Sequence, residues 1–183
     1  MQSTALVYEK IYQTKVVHDR GPLSRRICEF VWKSSSGFHP YPTDEVLIET
    51  LDRNRALFEE IIKLLNEDQG IRRIEMDGKV SSHDLTTLGL SEDRRQRYLS
   101  LMKAAGTLQL ERWTWTENKE TISFQMWWVP NGPLFGSKSK FLVYKDNTTK
   151  EYVASLDPIY ASGGDANSSR RIDENWSIYL DVW

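Results

Sequence analysis

The chain is poor in the features that most readily announce a function. It holds one cysteine among 183 residues, Cys28, so no internal disulfide can staple the fold. That usage suits a reducing cytoplasm, which is the expected compartment; a secreted or lipid-anchored form would require that a signal had been removed. The best apolar stretch near the N-terminus, Ala5 to Tyr8, is too short for the apolar core of a signal peptide. Nothing approaches the roughly 20 apolar residues of a membrane span. Charge of one sign is also missing: 24 basic residues face 26 acidic ones, a formal net charge of −2. This argues against a dedicated nucleic-acid binder, which usually presents a basic face. The three histidines, His18, His39 and His83, form no closely spaced pair of the kind a zinc site uses, so no metal or other cofactor is expected. No internal repeat or long low-complexity tract is present.

What remains is enough for one domain over 1–183, helical over about 1–106 and sheet over about 107–183. Gly21-Pro22 precedes Leu23, Ile27, Phe30 and Val31 at helical spacing, predicting a helix over about 22–34. A longer stripe, Leu47, Leu51, Phe58, Ile61, Ile62 and Leu65, predicts a helix over about 44–68, with Asp44 and Glu45 at its positive end and Gly70 as its stop. Asp77-Gly78 predicts a hairpin between 71–76 and 79–80. A short helical turn ending at Gly89 follows. Ser91 and Gly106 bound a helix over about 92–105.

Beyond Gly106 the apolar period falls from 3.6 to 2. Strands are predicted over 108–116, 122–129, 141–145, 151–156 and 176–183, with a Gly/Ser/Asn/Asp-rich loop over 162–169. Helices followed by consecutive strands define an α+β domain, with N-terminal helices packed on one face of an antiparallel meander of about five strands.

Aromatics concentrate in the sheet half. Six of seven tryptophans, Trp113, Trp115, Trp127, Trp128, Trp176 and Trp183, lie there. Trp127 and Trp128 are adjacent in one strand and must point to opposite faces. Alternation with Ile122, Phe124 and Met126 assigns Trp128 to the core and Trp127 to the other face. Two readings stand. Trp127 packs against a cross-strand neighbour or under the 130–138 loop; or Trp115, Trp127 and Tyr179, with Phe135 on the nearby loop, form an exposed patch that docks a partner.

Patterns for catalysis fall short. His18-Asp19 and His83-Asp84 resemble the His-Asp pairs of metal-dependent phosphohydrolases, which need an all-helical scaffold. Cys28 sits beside the apolar stripe of the 22–34 helix, where a core thiol is the ordinary reading. Gly132 to Ser139 misses the phosphate-loop spacing and lies between two strands. Arg94, Arg95, Arg97 and Lys103 give the 92–105 helix a basic side, as solvated faces often have. Carboxylates such as Asp44, Glu45, Glu59, Glu60, Asp157 and Asp173 form no pair that spacing alone would identify.

The runs Arg94-Arg95-Gln96-Arg97-Tyr98-Leu99, Ser155-Leu156-Asp157 and Arg171-Ile172-Asp173-Glu174-Asn175-Trp176-Ser177-Ile178-Tyr179 resemble those of small uncharacterised bacterial proteins, over about the last half of the chain. In size and architecture the chain is also similar to small bacterial immunity proteins, a likeness that implies binding and blocking a cognate toxin. The leading expectation is therefore a non-enzymatic module that binds a protein partner through Trp115, Trp127, Phe135 and Tyr179. The alternatives are a small hydrolase-type enzyme whose site assembles only in the fold around His39 or His83 and a carboxylate, or a secreted or envelope-associated structural module.

Overall fold

The computed structural model describes residues 41–82, 90–115, 119–130, 137–146, 151–162 and 167–182. The predicted helix over 22–34 and the turn ending at Gly89 lie outside them.

The first described helix, α1 (Asp44–Glu67), begins where Thr43 accepts a hydrogen bond from the Val46 amide at 3.3 Å. Its predicted stripe is its buried face: Leu51, Phe58, Ile61 and Leu65 are fully enclosed. It ends at Asp68, not at Gly70; the Asp68 amide closes the last turn on the Leu64 carbonyl. A hairpin follows, β1 (Ile71–Glu75) and β2 (Val80–Ser82), turning on Gly78 at φ 86°. Helix α2 (Glu92–Ala105) starts on Ser91 and stops on Gly106, whose φ of 75° lets the chain leave the helix.

The remaining elements are β3 (Gln109–Trp115), β4 (Lys119–Pro130), β5 (Ser137–Tyr144), the short helix α3 (Asp157–Ser162), β6 (Asn167–Arg171) and β7 (Trp176–Val182). All strands join one antiparallel sheet in the order β2-β1-β3-β4-β5-β7-β6. The domain is α+β as the periodicity indicates, but the sheet has seven strands where five are predicted.

Two differences account for the count. The β1–β2 hairpin is not a separate feature: β1 pairs with β3 through Ile74 and Leu110 and extends the sheet. The predicted strand over 151–156 is not a strand. It makes an isolated parallel bridge, Tyr152 to Ser169, and leads into α3. The edge is instead β6, inside the segment predicted as loop. This edge strand, Asn167-Ser168-Ser169-Arg170-Arg171, has no apolar alternation; the Val153 amide donates to its Ser169 carbonyl, and Arg170 pairs with Asp44 and Glu45.

One face of the sheet carries Ile74, Leu110, Ile122, Phe124, Leu142, Ile178 and Leu180, which form a single core with the buried sides of α1 and α2. At its centre Phe58 meets Phe124 edge-on at 5.0 Å, and Trp176 closes on both at 5.7 and 5.8 Å. The alternate residues, Glu111, Ser123, Gln125, Phe141 and Tyr179, face the other way. Among the described residues no helix packs on that second face.

Candidate functional site

The decisive local event lies in β4. Register with β5 runs Ile122 to Tyr144, Phe124 to Leu142 and Gln125 to Phe141, then slips by one so that Trp127 faces Lys140 and Trp128 faces Ser139. This β-bulge inverts side-chain parity for the rest of the strand. Trp127 therefore turns into the helix side, where it is 1% exposed, and Trp128 turns out, where it is 44% exposed. The alternation of the sequence assigns these two rings the wrong way round, because strict period 2 does not survive an extra residue.

Outward, Trp128 joins Trp113, Phe141, Val143 and Tyr179 around an open groove of about 470 Å³. Ser123, Gln125 and Ser139 line its floor, and the Gln125 amide donates to Ser139 Oγ at 3.1 Å. At the β1–β3 side Glu111, only 5% exposed, receives Arg73 at 2.9 Å and Arg72 at 3.5 Å. The Arg72 guanidinium also lies 5.0 Å over the Trp113 ring. Asp146 and Asp181 stand on the β5–β7 side. Burial, followed by the charges of Asp181 and Asp146, pushes the Tyr179 phenol up to about 12. It remains a neutral O–H at any physiological pH. The groove thus pairs large apolar surfaces with a few fixed polar groups, the usual make-up of a recognition site.

Of the residues predicted to bind a partner, Tyr179 lines this groove. Trp127 does not: it is a core residue. The backbone of Trp115 pairs with Lys119 in the β3–β4 ladder, while its side chain lies outside the described residues, as does Phe135. Trp113, Trp128 and Phe141 were missed. Trp113 follows directly from alternation with Glu111; Trp128 could be placed only by knowing the bulge.

Inward, Trp127 belongs to a second cluster. Tyr41 stacks on Tyr160 at 3.8 Å, and both meet Trp127 edge-on, at 5.3 and 5.5 Å. Beneath them Lys140 is fully buried, forced inward by its position between Ser139 and Phe141. Its ammonium donates to Tyr41 Oη at 2.9 Å, Pro42 O at 2.8 Å and Asp157 Oδ1 at 3.0 Å. Asp44 Oδ1, at 2.7 Å, is its nearest ion-pair partner. The other Asp44 oxygen accepts from the Leu156 amide at 2.8 Å, Ser155 Oγ at 3.0 Å and Arg170 at 3.0 Å. Asp157 also accepts the Asp44 amide at the start of α1.

This cluster gathers two of the carboxylates that stood out in the sequence, Asp44 and Asp157, and it is the nearest approach to a catalytic constellation among the described residues. Its electrostatics argue against acid–base chemistry. Burial opposes ionisation of Asp44, but Lys140, the Leu156 amide and Arg170 outweigh it and hold the carboxyl below its ordinary 3.8. Burial, and then the hydrogen bond to Asp157, drive the Tyr41 phenol far above its ordinary value. General acids and bases are tuned towards the working pH; these two are driven away from it, and Lys140 is sealed from solvent. The arrangement is a latch that ties the start of α1 and the start of α3 to β5.

A third polar cluster finishes α1. Arg112, 1% exposed, donates to the Gln69 carbonyl at 3.0 Å and to the Leu65 carbonyl. Asp68 takes Arg94 and the Tyr98 hydroxyl, each at 2.8 Å. The basic side of α2 is thus partly consumed in pairs: Arg94 with Glu67 and Asp68, Arg97 with Glu60. Asp173 pairs with Arg55 at 3.0 Å.

His18, His39, His83 and Cys28 all lie outside the described residues, so the alternative site at His39 or His83 has no geometry here. Among the described residues no group of three or more His, Cys, Asp or Glu is placed to hold a metal ion. No described helix is long and apolar enough to cross a membrane. No known protein family, curated protein or solved structure matches the chain.

Proposed function

We propose that the protein is a binding module that engages a protein partner through the groove on the helix-free face of its sheet, and that a toxin-neutralising immunity protein is the particular form this takes. One observation carries the reading: the bulge at Gln125/Trp127 turns Trp128 outward beside Trp113, Phe141 and Tyr179, around a groove of about 470 Å³. Trp and Tyr dominate the residues that carry binding energy at interfaces, because they bury much area for few frozen torsions. Two tryptophans 39% and 44% exposed on one face are costly to hydrate and gain most from being covered. The latch around Lys140 supports the same reading from the other side, since the most catalysis-like cluster of the described residues has the protonation pattern of a structural one.

The test is capture of the partner by the tagged full-length chain and by two variants. Trp128→Ala removes a groove wall; Val46→Ala removes an exposed apolar residue on α1, 49% exposed, away from the groove. A single stoichiometric partner that survives Val46→Ala and is lost with Trp128→Ala, both variants folded, fits the proposal. A partner indifferent to Trp128→Ala sinks it.

A further inference from the structure

We propose that what the partner presents to the groove is a neutral oligosaccharide. The inference rests on the groove being a recognition surface and names the chemistry that surface is built to read.

Register sets the shape. On the helix-free face β4 contributes Thr121, Ser123 and Gln125, whereas β3 beside it carries Trp113 and β5 carries Phe141 and Val143. A polar floor thus runs between apolar walls two strand spacings apart, about 10 Å. Trp113 stands opposite Thr121, whose hydroxyl meets the Lys145 carbonyl, and Trp128 stands opposite Ser139. Lys145 and Ser139 are six residues apart, or about 20 Å at about 3.4 Å each. The two exposed tryptophans therefore mark the ends of a long trough. An α-helix with its side chains is about 10–12 Å across and does not fit between these walls; a single chain of flat rings laid along the strands does.

Chemistry narrows the occupant. A pyranose ring has C–H groups on its faces and hydroxyls round its rim. The C–H faces suit the electron-rich faces of Trp113, Trp128 and Phe141. The hydroxyls both donate and accept, and the floor does both. The Gln125 amide donates to Ser139 Oγ at 3.1 Å, which leaves the Gln125 carbonyl to accept and the Ser139 proton to give. The Ser123 hydroxyl donates to the Glu111 carbonyl at 3.3 Å and keeps its oxygen as an acceptor. Both carboxylates on the β5–β7 side already work as acceptors of hydroxyls: Ser177 Oγ meets Asp146 at 2.7 Å, and Tyr179 bonds to Asp181. Asp146 is placed at a cost, directly after Lys145, whose φ of 53° is rare for a residue with a side chain. Other occupants fit less well. A purely apolar side chain would seal the floor from water without replacing its hydrogen bonds. An anion would meet Asp146 and Asp181, while Arg73, the cation of the lining, is spent on Glu111.

The test is calorimetric titration of the full-length chain with maltotetraose, cellotetraose and tetra-N-acetylchitotetraose, and with tetragalacturonate as the anionic counterpart. At least one neutral sugar is expected to bind one to one. Trp113→Ala and Trp128→Ala, both at exposed positions, should each weaken it at least about tenfold, as loss of one stacked ring does for other flat ligands. Asp146→Asn, which keeps the shape and removes the charge, should weaken it by a similar factor of about ten. Val46→Ala should leave it unchanged. No binding of any neutral sugar at about 10 mM, binding indifferent to both tryptophans, or tighter binding of tetragalacturonate overturns the proposal. Partner capture separates this inference from the reading beneath it. A partner held through Trp128 after periodate has cleaved its glycans overturns the sugar and leaves the binding module standing. A sugar bound through Trp128 with no captured partner keeps the sugar site and removes the protein partner.

Discussion

Trp127 and Trp128 share a peptide bond and live in opposite worlds. Trp127 is sealed against Tyr41, Tyr160 and the Lys140 latch; Trp128 stands in solvent at the mouth of a groove. The two faces of the sheet differ in the same way. On the helix side even the polar groups are locked: Asp44 as a carboxylate, Tyr41 as a phenol, Lys140 held among Tyr41, Pro42, Asp157 and Asp44. On the groove side large rings and a buried Glu111 are held in place with room left over. The lesson is that the helix face has spent its chemistry on stability, while the groove face keeps surface that only a binding event would bury.

The comparison is broken most sharply by two inward changes of similar size. Trp127→Ala is expected to cost about 3–5 kcal/mol, the usual range for a core tryptophan. Lys140→Met should cost a comparable 3–5 kcal/mol, because it leaves the Asp44 charge buried beside an apolar chain. Denaturant midpoints of folded variants measure both. A loss below about 1 kcal/mol for either would mean that the helix face is not the locked one.

Acid sharpens the same contrast. Asp44 is held below its ordinary 3.8, so its contribution to stability is complete above that value and is lost as pH falls through the lower folded-state value. Asp173, held low against its own burial by the Asn175 and Trp176 amides and Arg55, acts in the same direction. Stability should fall steeply below about pH 4, and Asp44→Asn, measured by urea denaturation across the same range, should flatten that slope. An unchanged slope would remove Asp44 from the latch.

Smaller effects follow. Gly106→Ala should cost about 1 kcal/mol by thermal melting, since a φ of 75° is one that residues with a side chain rarely adopt. Trp128→Ala should change stability by less than about 0.5 kcal/mol, the range for surface positions, while abolishing partner capture. A Trp128→Ala variant as unstable as Trp127→Ala would erase the difference between the two rings.

How much of this was legible can be argued residue by residue. The stripe from Leu47 to Leu65, the caps at Ser91 and Gly106 and the turn at Gly78 depend on neighbours within a few positions, and their structure agrees with the pattern. Strand β6 was not legible, because an all-polar edge strand is recruited by the backbone of β7 and not by its own side chains. Nor was the latch, whose members Asp44, Lys140 and Asp157 are far apart in the chain and meet through side chains that look solvated in sequence. Arg112 and Lys140 did carry a faint signal, each falling in phase with a core leucine, Leu110 or Leu142.

The sequence by itself determined helices α1 and α2, the β1–β2 hairpin, strands β3, β4, β5 and β7, the α+β class and the wealth of aromatics on the sheet, because periodicity, capping and turn chemistry are local. Tertiary structure alone decided which tryptophan is core and which is surface. That choice rests on one extra residue in β4, whose place is fixed by register against β5, and register is a property of two strands together.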